Sequence, residues 1–553
     1  MVEERIKMPV VTLYLDRLQR LVGGKASKSK ILDVLPFLGL DIEEEQKDFV
    51  RVEYSPNRPD YATDVGIASG LQGLLGVKKG QVMVSIKKEK KKFLIKSDAS
   101  VKKIRPFISG VIARNGKLDD ESIRQIIALQ EDLHFGIGRR RKKASIGIHN
   151  LDSISSPLRY TAVPKDHEFV PLASTQSVTV KEVLEKTSTG QEYSHILGDS
   201  SKVPIILDAK NNTVSFPPII NSALTTISTG TKNILVEVTG MDKNAVDDSL
   251  SVVAMTLQNM GFAISGVTVD AKHSSDTFKA RTILLDPALV NQILGLDLSI
   301  PKICDSLKKC RLDAIPRGKK ILCTIPRFRF DILGEMDLVE EIALGHGIEN
   351  LSPSLPPSVS VGEKNTVTKK IDQITSVMIG LGFTEALNSS LTSKQILYDY
   401  TKRDPSEIIE VSESKSLEHT VLRDSILPGL LENLSKNIHE SYPQKLFETG
   451  VVFTKGHPIN ETISISCVSA HKDTNFTEIK SILQSLLKTD SGIVCKTNAS
   501  THPSFASGRT AEVLVGGKPV GVIGEIDQRV IDNFKIRVPV SGFEIVLTGL
   551  IFD

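Results

Sequence analysis

The segment IPRFRFDILGEMDLVEEIALGHG, residues 325–347, constrains this chain more tightly than any other. Polar and apolar residues alternate through Arg327-Phe328-Arg329-Phe330-Asp331. That is the period of a strand, and it predicts both arginines and Asp331 on one face. The period then changes. Leu338, Val339 and Ile342 give a short helix its apolar stripe, while Asp337, Glu340 and Glu341 stand at i, i+3 and i+4. Carboxylates stacked so closely repel by a few tenths of a kcal/mol per pair. A hard divalent cation such as Mg2+ would relieve that repulsion, since it prefers carboxylate oxygens. Acids in a first helical turn also complement the macrodipole, so spacing alone leaves both readings open.

Around this segment the chain reads as several domains. A length of 553 residues allows about four. Hydrophobic content of 40% and charged content of 24% fit a globular protein. No stretch approaches the roughly 20 apolar residues of a membrane span. The N-terminus mixes charges of both signs without the apolar core of a secretory signal, which points to the cytoplasm. Five cysteines without a CxxC pair indicate neither a disulfide framework nor zinc, and eleven histidines form no HExxH. A net charge of +3 says little about nucleic acid. The basic runs at 87–92 and 139–143 attract phosphate, or keep a surface soluble.

Near the N-terminus, MPVVTLYL predicts a strand, and Ile31, Leu32, Leu35 and Leu38 a helix ended by Gly39. Pro56 and Pro59 suggest an extended turn from which Asp60 caps the next helix. Strands are expected over 109–114, 145–149, 203–208 and 234–239, with helices over 123–133 and 248–260. A proline-containing loop is expected at 215–221. Two short helices follow, one opened by Asp286-Pro287 and closed by Gly295, the other capped by Ser299. With the acidic segment they suggest a winged-helix-like unit. After a Pro/Ser-rich linker at 351–361 come a helix through Ile371–Leu381, a strand-like FTEALNSSLT, and LRDSILPGLLENL, QKLFETGVVF and VSGFEIVLTGLIFD. Gly136-Ile137-Gly138 lacks a dinucleotide loop's third glycine, and Gly516-Gly517 reads as a hairpin turn.

PRFRFDILGEMDLVEEIALGHGIENL resembles the metal-sharing B-five domain of the phenylalanine–tRNA ligase beta-subunit family. Three further blocks are similar in the same order: NRPD with the helix after it, GQEYSHILGDSSKVPIILDAKNNTVSFPPIINS with ILVEVTGMD, and the C-terminal region. The resemblance implies an α+β multidomain protein of archaeal or eukaryotic type. Its parts would be an N-terminal α/β domain (1–88), a mixed α/β tRNA-editing domain (89–268), a winged-helix-like B-five domain (269–351) and a class II synthetase-like antiparallel-sheet domain (358–553). It further implies an α2β2 complex with an alpha subunit that uses ATP to attach phenylalanine to tRNA(Phe). Asp331, Asp337, Glu340 and Glu341 would hold Mg2+ shared with alpha. Leu207, Ser215, Asn221, Glu237 and Thr239 would line an editing pocket for misattached tyrosine.

The last domain departs from an active ligase. Adenylate formation needs arginines aimed at phosphate. In class II ligases one stands two residues before a strand glutamate, yet Leu446 precedes Glu448 here, and 542–553 contain no arginine. No aminoacylation residue is therefore expected in this chain. A free-standing aminoacyl-tRNA hydrolase and a non-catalytic winged-helix RNA-binding protein are the alternatives.

Overall fold

Unbroken β-branched and apolar runs build the strands of this computed structural model, which describes residues 9–87, 92–198, 200–270, 272–273, 277–355, 361–412, 414 and 416–550. Most of the run at 87–92 lies outside these. The chain divides into two compact units, 1–354 and 355–553. Among the described residues no helix is long and apolar enough to cross a membrane.

The first unit opens with a three-stranded sheet of β1 (Val10–Tyr14), β2 (Asp41–Glu45) and β3 (Phe49–Glu53), in the order β1-β3-β2. Helices α1 (Leu15–Val22), α2 (Lys28–Val34) and α3 (Asp64–Leu74) accompany it. Asp60 does not cap α3 as expected. Thr63 does, accepting from the Gly66 N–H, because residues 59–62 coil into a short 3-10 turn that carries Asp60 inward.

Next comes a large mixed sheet. Its elements in chain order are β4 (Phe93–Ser97), β5 (Phe107–Arg114), α4 (Asp120–Phe135), β6 (Ala144–Asn150), β7 (Leu158–Pro164), β8 (Glu168–Phe169), β9 (Val178–Thr179), α5 (Val180–Lys186), α6 (Ser188–Tyr193), β10 (Lys202–Leu207), β11 (Thr213–Phe216), β12 (Ile220–Asn221), β13 (Ile234–Gly240), α7 (Lys243–Asn259), β14 (Ala263–Val269) and β15 (Lys272–His273). The strand order β12-β11-β10-β7-β4-β14-β5-β13-β6 makes β12 and β6 its two ends, and β8 pairs with β9 apart from it. The proline-containing loop at 215–221 is instead a tight hairpin, since Ser215 pairs with Asn221 and Phe216 with Ile220. β13 is buried at all seven positions, which explains its apolar run; only Glu237 and Thr239 interrupt it with polar side chains.

The unit ends with a sheet in the order β16-β18-β17 (β16, Arg281–Leu285; β17, Asp313–Arg317; β18, Lys320–Ile325), packed by α8 (Pro287–Leu294), α9 (Ile300–Lys309) and α10 (Glu335–His346). Leu285, Ile303, Leu307, Cys323, Leu338 and Ile342 share its core. Two expectations fail here. The Ser299 side chain makes no cap bond to α9. Residues 327–331 form no strand: β18 stops at Ile325, and the Arg329 N–H turns back to the Pro326 carbonyl.

The second unit holds α11 (Thr366–Gly380), β19 (Thr384–Glu385), β20 (Leu391–Thr392), β21 (Ile409–Glu410), β22 (Val421–Leu422), α12 (Leu427–Lys436), β23 (Gln444–Thr454), β24 (Asn460–Ala470), α13 (Phe476–Ser491), β25 (Lys496–Ala499), β26 (Phe505–Val515), β27 (Lys518–Ile526), α14 (Gln528–Asn533) and β28 (Val540–Val546). Seven strands form one sheet, β19-β23-β24-β28-β27-β26-β25, antiparallel except at β19. FTEALNSSLT contributes only the two-residue strands β19 and β20 to it and to the small sheet β20-β22-β21. Helices α11 and α13 share one core with Phe447, Ile465 and Phe543, and α12 shares the other with Val452 and Val468. Gly516 and Gly517, at φ 58° and 82°, make the β26–β27 turn as expected.

Candidate functional site

A cavity of about 530 Å³ opens where the two ends of the large sheet approach each other. Ile123, Ile127 and His134 of α4 and Ser145, Ile146 and Ile148 of β6 form one side; Ser215 to Asn221 of the β11–β12 hairpin form the other. Arg141 ties the ends together. Its Nη1 donates to the Pro218 and Ile219 carbonyls at 3.3 and 3.0 Å, and its Nη2 donates to both Glu131 oxygens at 3.1 Å. Burial alone would raise the Glu131 carboxyl, but His134 and Arg141 outweigh it and hold it at about 2. His134 itself is pushed below its ordinary range by burial, and its Nε2 accepts from the Ile146 N–H at 2.8 Å.

Glu237 lines this cavity at 2% exposure, and its Oε2 has no hydrogen-bond partner. Its neighbours across the sheet are both glycines, Gly110 and Gly147. The pairing is steric in origin. A Cβ on Gly147 would lie 2.4 Å from Glu237 Oε1 and 2.5 Å from His149 Nε2. His149, fully buried, stands 3.8 Å from Glu237 Oε1, with its Nε2 unpartnered and its Nδ1 2.8 Å from Thr225 Oγ1. A buried carboxylate with an empty acceptor is expensive unless something donates to it. Among the described residues, the cavity thus offers largely apolar walls and one carboxylate, Glu237, with an oxygen that no donor holds.

Of the five residues expected in a pocket, Ser215, Asn221 and Glu237 line the cavity, with the Ser215 hydroxyl donating to Asn221 Oδ1 at 3.2 Å. Leu207 and Thr239 do not line it. Leu207 packs with Phe169, Phe216 and Ile219. Thr239 Oγ1 accepts from Arg105 Nε at 3.0 Å and lies 3.1 Å from Ser145 Oγ. Arg105 is fully buried with only carbonyl and hydroxyl acceptors, and burial pushes it down to about 10. Sequence reasoning missed Arg141, His134, His149 and Thr225. The run at 139–143 was the one signal for the first.

The four acids fare differently. Arg329, itself buried, donates from Nε and Nη2 to Asp331 at 2.9 and 2.7 Å and from Nη2 to Glu341 at 2.5 Å. Burial would raise the Asp331 carboxyl, but Arg329 outweighs it and lowers it. Asp337 Oδ2 accepts from the Leu333 and Gly334 N–H groups at 2.7 and 2.8 Å, closing the N-terminus of α10. Glu340 alone is exposed. Arg58, from the NRPD turn, forms a bidentate pair with Asp60 at 2.9 and 2.8 Å and reaches within 3.9 Å of Glu341. Two motifs far apart in sequence are therefore one buried ionic network. Arg327 leaves it and donates to Asp248 at 2.8 Å. Arg329 thus holds Asp331 and Glu341, backbone N–H groups hold Asp337, and Glu340 faces solvent. Among the described residues no group of three or more His, Cys, Asp or Glu side chains is placed to share a metal.

In the second unit Glu448 is buried, accepting from Arg423 Nη1 at 2.5 Å and Asn388 Nδ2 at 2.7 Å. Glu544 accepts from the Ile426 and Leu427 N–H groups, both at 2.9 Å, at the start of α12. Leu446 packs in the apolar cluster that includes α12.

Residues 283–348 match the tRNA synthetase B5 domain family, and 351–547 match the phenylalanyl tRNA synthetase beta chain CLM domain family. The chain is 39% identical to the phenylalanine–tRNA ligase beta subunit of Archaeoglobus fulgidus, over 99% of each. It is 36% identical to that of Methanococcus vannielii, over 98% of this chain and all of the other. The crystal structure of an N-terminal fragment of the phenylalanyl-tRNA synthetase beta subunit from Pyrococcus horikoshii superposes with a TM-score of 0.57 at 28% identity, covering 61% of this chain and 99% of the fragment.

Proposed function

Because the chain belongs to the family of phenylalanine–tRNA ligase beta subunits, we propose that it works with an alpha subunit to attach phenylalanine to tRNA(Phe), and that its own cavity removes misattached tyrosine. As a beta subunit it is part of an aminoacyl-tRNA ligase complex, an enzyme class that uses ATP and Mg2+. The assembly is α2β2, with adenylate chemistry on alpha. Glu448 held by Arg423, and Leu446 packed into the α12 cluster, support placing that chemistry elsewhere. The domain division at 1–88, 89–268, 269–351 and 358–553 belongs to the same reading. In the same reading Asp331, Asp337, Glu340 and Glu341 are the residues that would hold a Mg2+ ion shared with the alpha subunit.

The observation that carries the proofreading assignment is the unpartnered Glu237 Oε2 in an otherwise largely apolar cavity. Phenylalanine and tyrosine differ by one hydroxyl, and an apolar pocket rejects such an analogue by only about 100-fold. A second site that requires a donor discriminates in the opposite sense. Here the aromatic ring would lie against Ile123, Ile127, Ile146 and Ile148, and the phenolic O–H would donate to Glu237. The hydroxyls of Ser215 and Thr225 stand at the cavity wall, where the ester and a hydrolytic water would sit.

Co-expression with an alpha subunit tests the assignment. We expect a stable complex that charges tRNA(Phe), neither chain charging alone, and faster release of tyrosine than of phenylalanine from charged tRNA. Equal release of the two amino acids would remove the proofreading assignment. Charging by the beta chain alone would remove the division of labour.

A further inference from the structure

Resting on the reading of the cavity as a site for an ester carried on RNA, we propose that the basic turn beside it binds the single-stranded end of that RNA. The turn is Arg139 to Lys142, with Phe135 beside it. It follows α4 and leads into β6, so Arg141 is both part of the turn and part of the cavity wall.

The backbone of the turn is unusual. Arg139, Arg140 and Arg141 have φ of 49°, 52° and 64°, three successive left-handed residues that each carry a Cβ. L-residues avoid this region because Cβ crowds the following carbonyl, and glycine is the ordinary occupant. Gly136 and Gly138 stand next to these positions without taking left-handed φ themselves. Gly138 serves another purpose, since a Cβ there would lie 2.6 Å from both the Ala144 and the His134 carbonyl oxygens. The conformation is also fixed: the Arg141 N–H donates to the His134 carbonyl at 3.1 Å and the Lys143 N–H to the Gly138 carbonyl at 2.8 Å. A loop kept basic only for solubility needs neither a fixed backbone nor arginine at strained positions.

The side chains divide by direction. Arg141 turns inward to the hairpin carbonyls and over the Tyr193 ring at 4.3 Å. Arg139, Arg140 and Lys142 are exposed, and among the described residues none of the three has an acidic partner. The Arg140 guanidinium lies 5.3 Å from the centroid of the Phe135 ring, which is 58% exposed. Unpaired cations beside an open aromatic face are how proteins hold single strands, by neutralising phosphates and stacking bases. A duplex would leave the ring without an unstacked base to meet, and it could not enter a cavity of this size. The turn thus fits a flexible 3′ end, delivered to the cavity by Arg141.

Fluorescence anisotropy with a short labelled single-stranded RNA, titrated into the full chain at several salt concentrations, tests this. For R139E/R140E we expect Kd to rise at least tenfold and the salt slope to fall by about 0.7 for each phosphate no longer neutralised. For F135A we expect weaker binding with an unchanged slope. Hydrolysis of tyrosine ethyl ester, which carries no RNA, should be unaltered in both, whereas Glu237→Gln should alter ester hydrolysis and leave RNA affinity alone. Unchanged affinity and slope in R139E/R140E would overturn the proposal, as would equal competition by duplex RNA. If ester hydrolysis is absent throughout while R139E/R140E still loses RNA, the RNA-binding turn stands and the reading of the cavity falls.

Discussion

Two buried clusters of charge lie within residues 1–354, and they are built on opposite rules. In the network of Arg58, Asp60, Arg329, Asp331 and Glu341, every carboxylate meets a guanidinium, and the two arginines meet three acids. Around the cavity, among the described residues, Glu237 Oε2 and His149 Nε2 have no hydrogen-bond partner and Arg105 donates to no carboxylate. The first arrangement cements an N-terminal turn to α10. The second leaves acceptor capacity unspent next to open volume. Both segments attract attention in sequence because acids are rare in such company. Satisfaction, not burial, separates a cluster that holds the fold from one that waits for a ligand.

The largest test of this contrast is Arg329→Met. Removing one partner from a buried network strands Asp331 and Glu341, at an expected cost of about 3–5 kcal/mol. Urea unfolding of the full chain measures it, and a loss below about 1 kcal/mol would erase the distinction. Glu237→Met should do the reverse, leaving stability within about 1 kcal/mol because Oε2 has no donor and Oε1 has only His149 at 3.8 Å. Its discrimination between tyrosyl and phenylalanyl esters should fall by about 10- to 100-fold, the worth of a hydrogen bond to a charged group. Gly147→Ala sharpens the picture. The added Cβ collides with Glu237, for about 1–3 kcal/mol of overpacking, and shortening the acid in the Gly147→Ala, Glu237→Asp double variant should restore part of that.

The smallest expected effect is a pH dependence. His134 in the fold binds its proton less readily than the ordinary 6.5 allows, so the unfolded chain gains protons first as pH falls below 6.5, and stability declines from there. Glu131, held at about 2 instead of 4.5, keeps its contribution above 4.5 and loses it as pH falls toward 2. His134→Gln should flatten the part of the stability profile just below pH 6.5 and, because His134 also helps hold the Glu131 carboxyl down, shrink the more acidic limb.

Much of the architecture was readable from residues alone. The helix expected over 248–260, the Gly295 stop and the Gly516-Gly517 hairpin all follow from local backbone chemistry, which acts over a few residues. The cavity was half readable. Glu237, Ser215 and Asn221 came from the family resemblance, but Arg141 and Thr225 belong to the cavity only because a curled sheet brings its terminal strands together, and no local pattern encodes that closure. Leu207 and Thr239 sit nearby in sequence yet face other neighbours, which a strand bulge and Arg105 decide. Alternation misled at 327–331 because a buried guanidinium, held by two acids, imitates the polar half of a strand. The acids at 331–341 were read as a cation site, and periodicity gave no means of seeing that Arg329 pairs with two of them, Asp331 and Glu341.

The seating of α12 against the second unit's sheet bears on any attempt at reversal. Writing an arginine in place of Leu446 would not by itself make a nucleotide site, because the guanidinium would arrive in the apolar cluster of a helix whose first turn is anchored by Glu544. Opening that surface would demand lifting a whole secondary-structure element, a change no single codon makes. Such a substitution therefore tests packing before it tests chemistry: the side chain at 446 is answerable first to the helix above it.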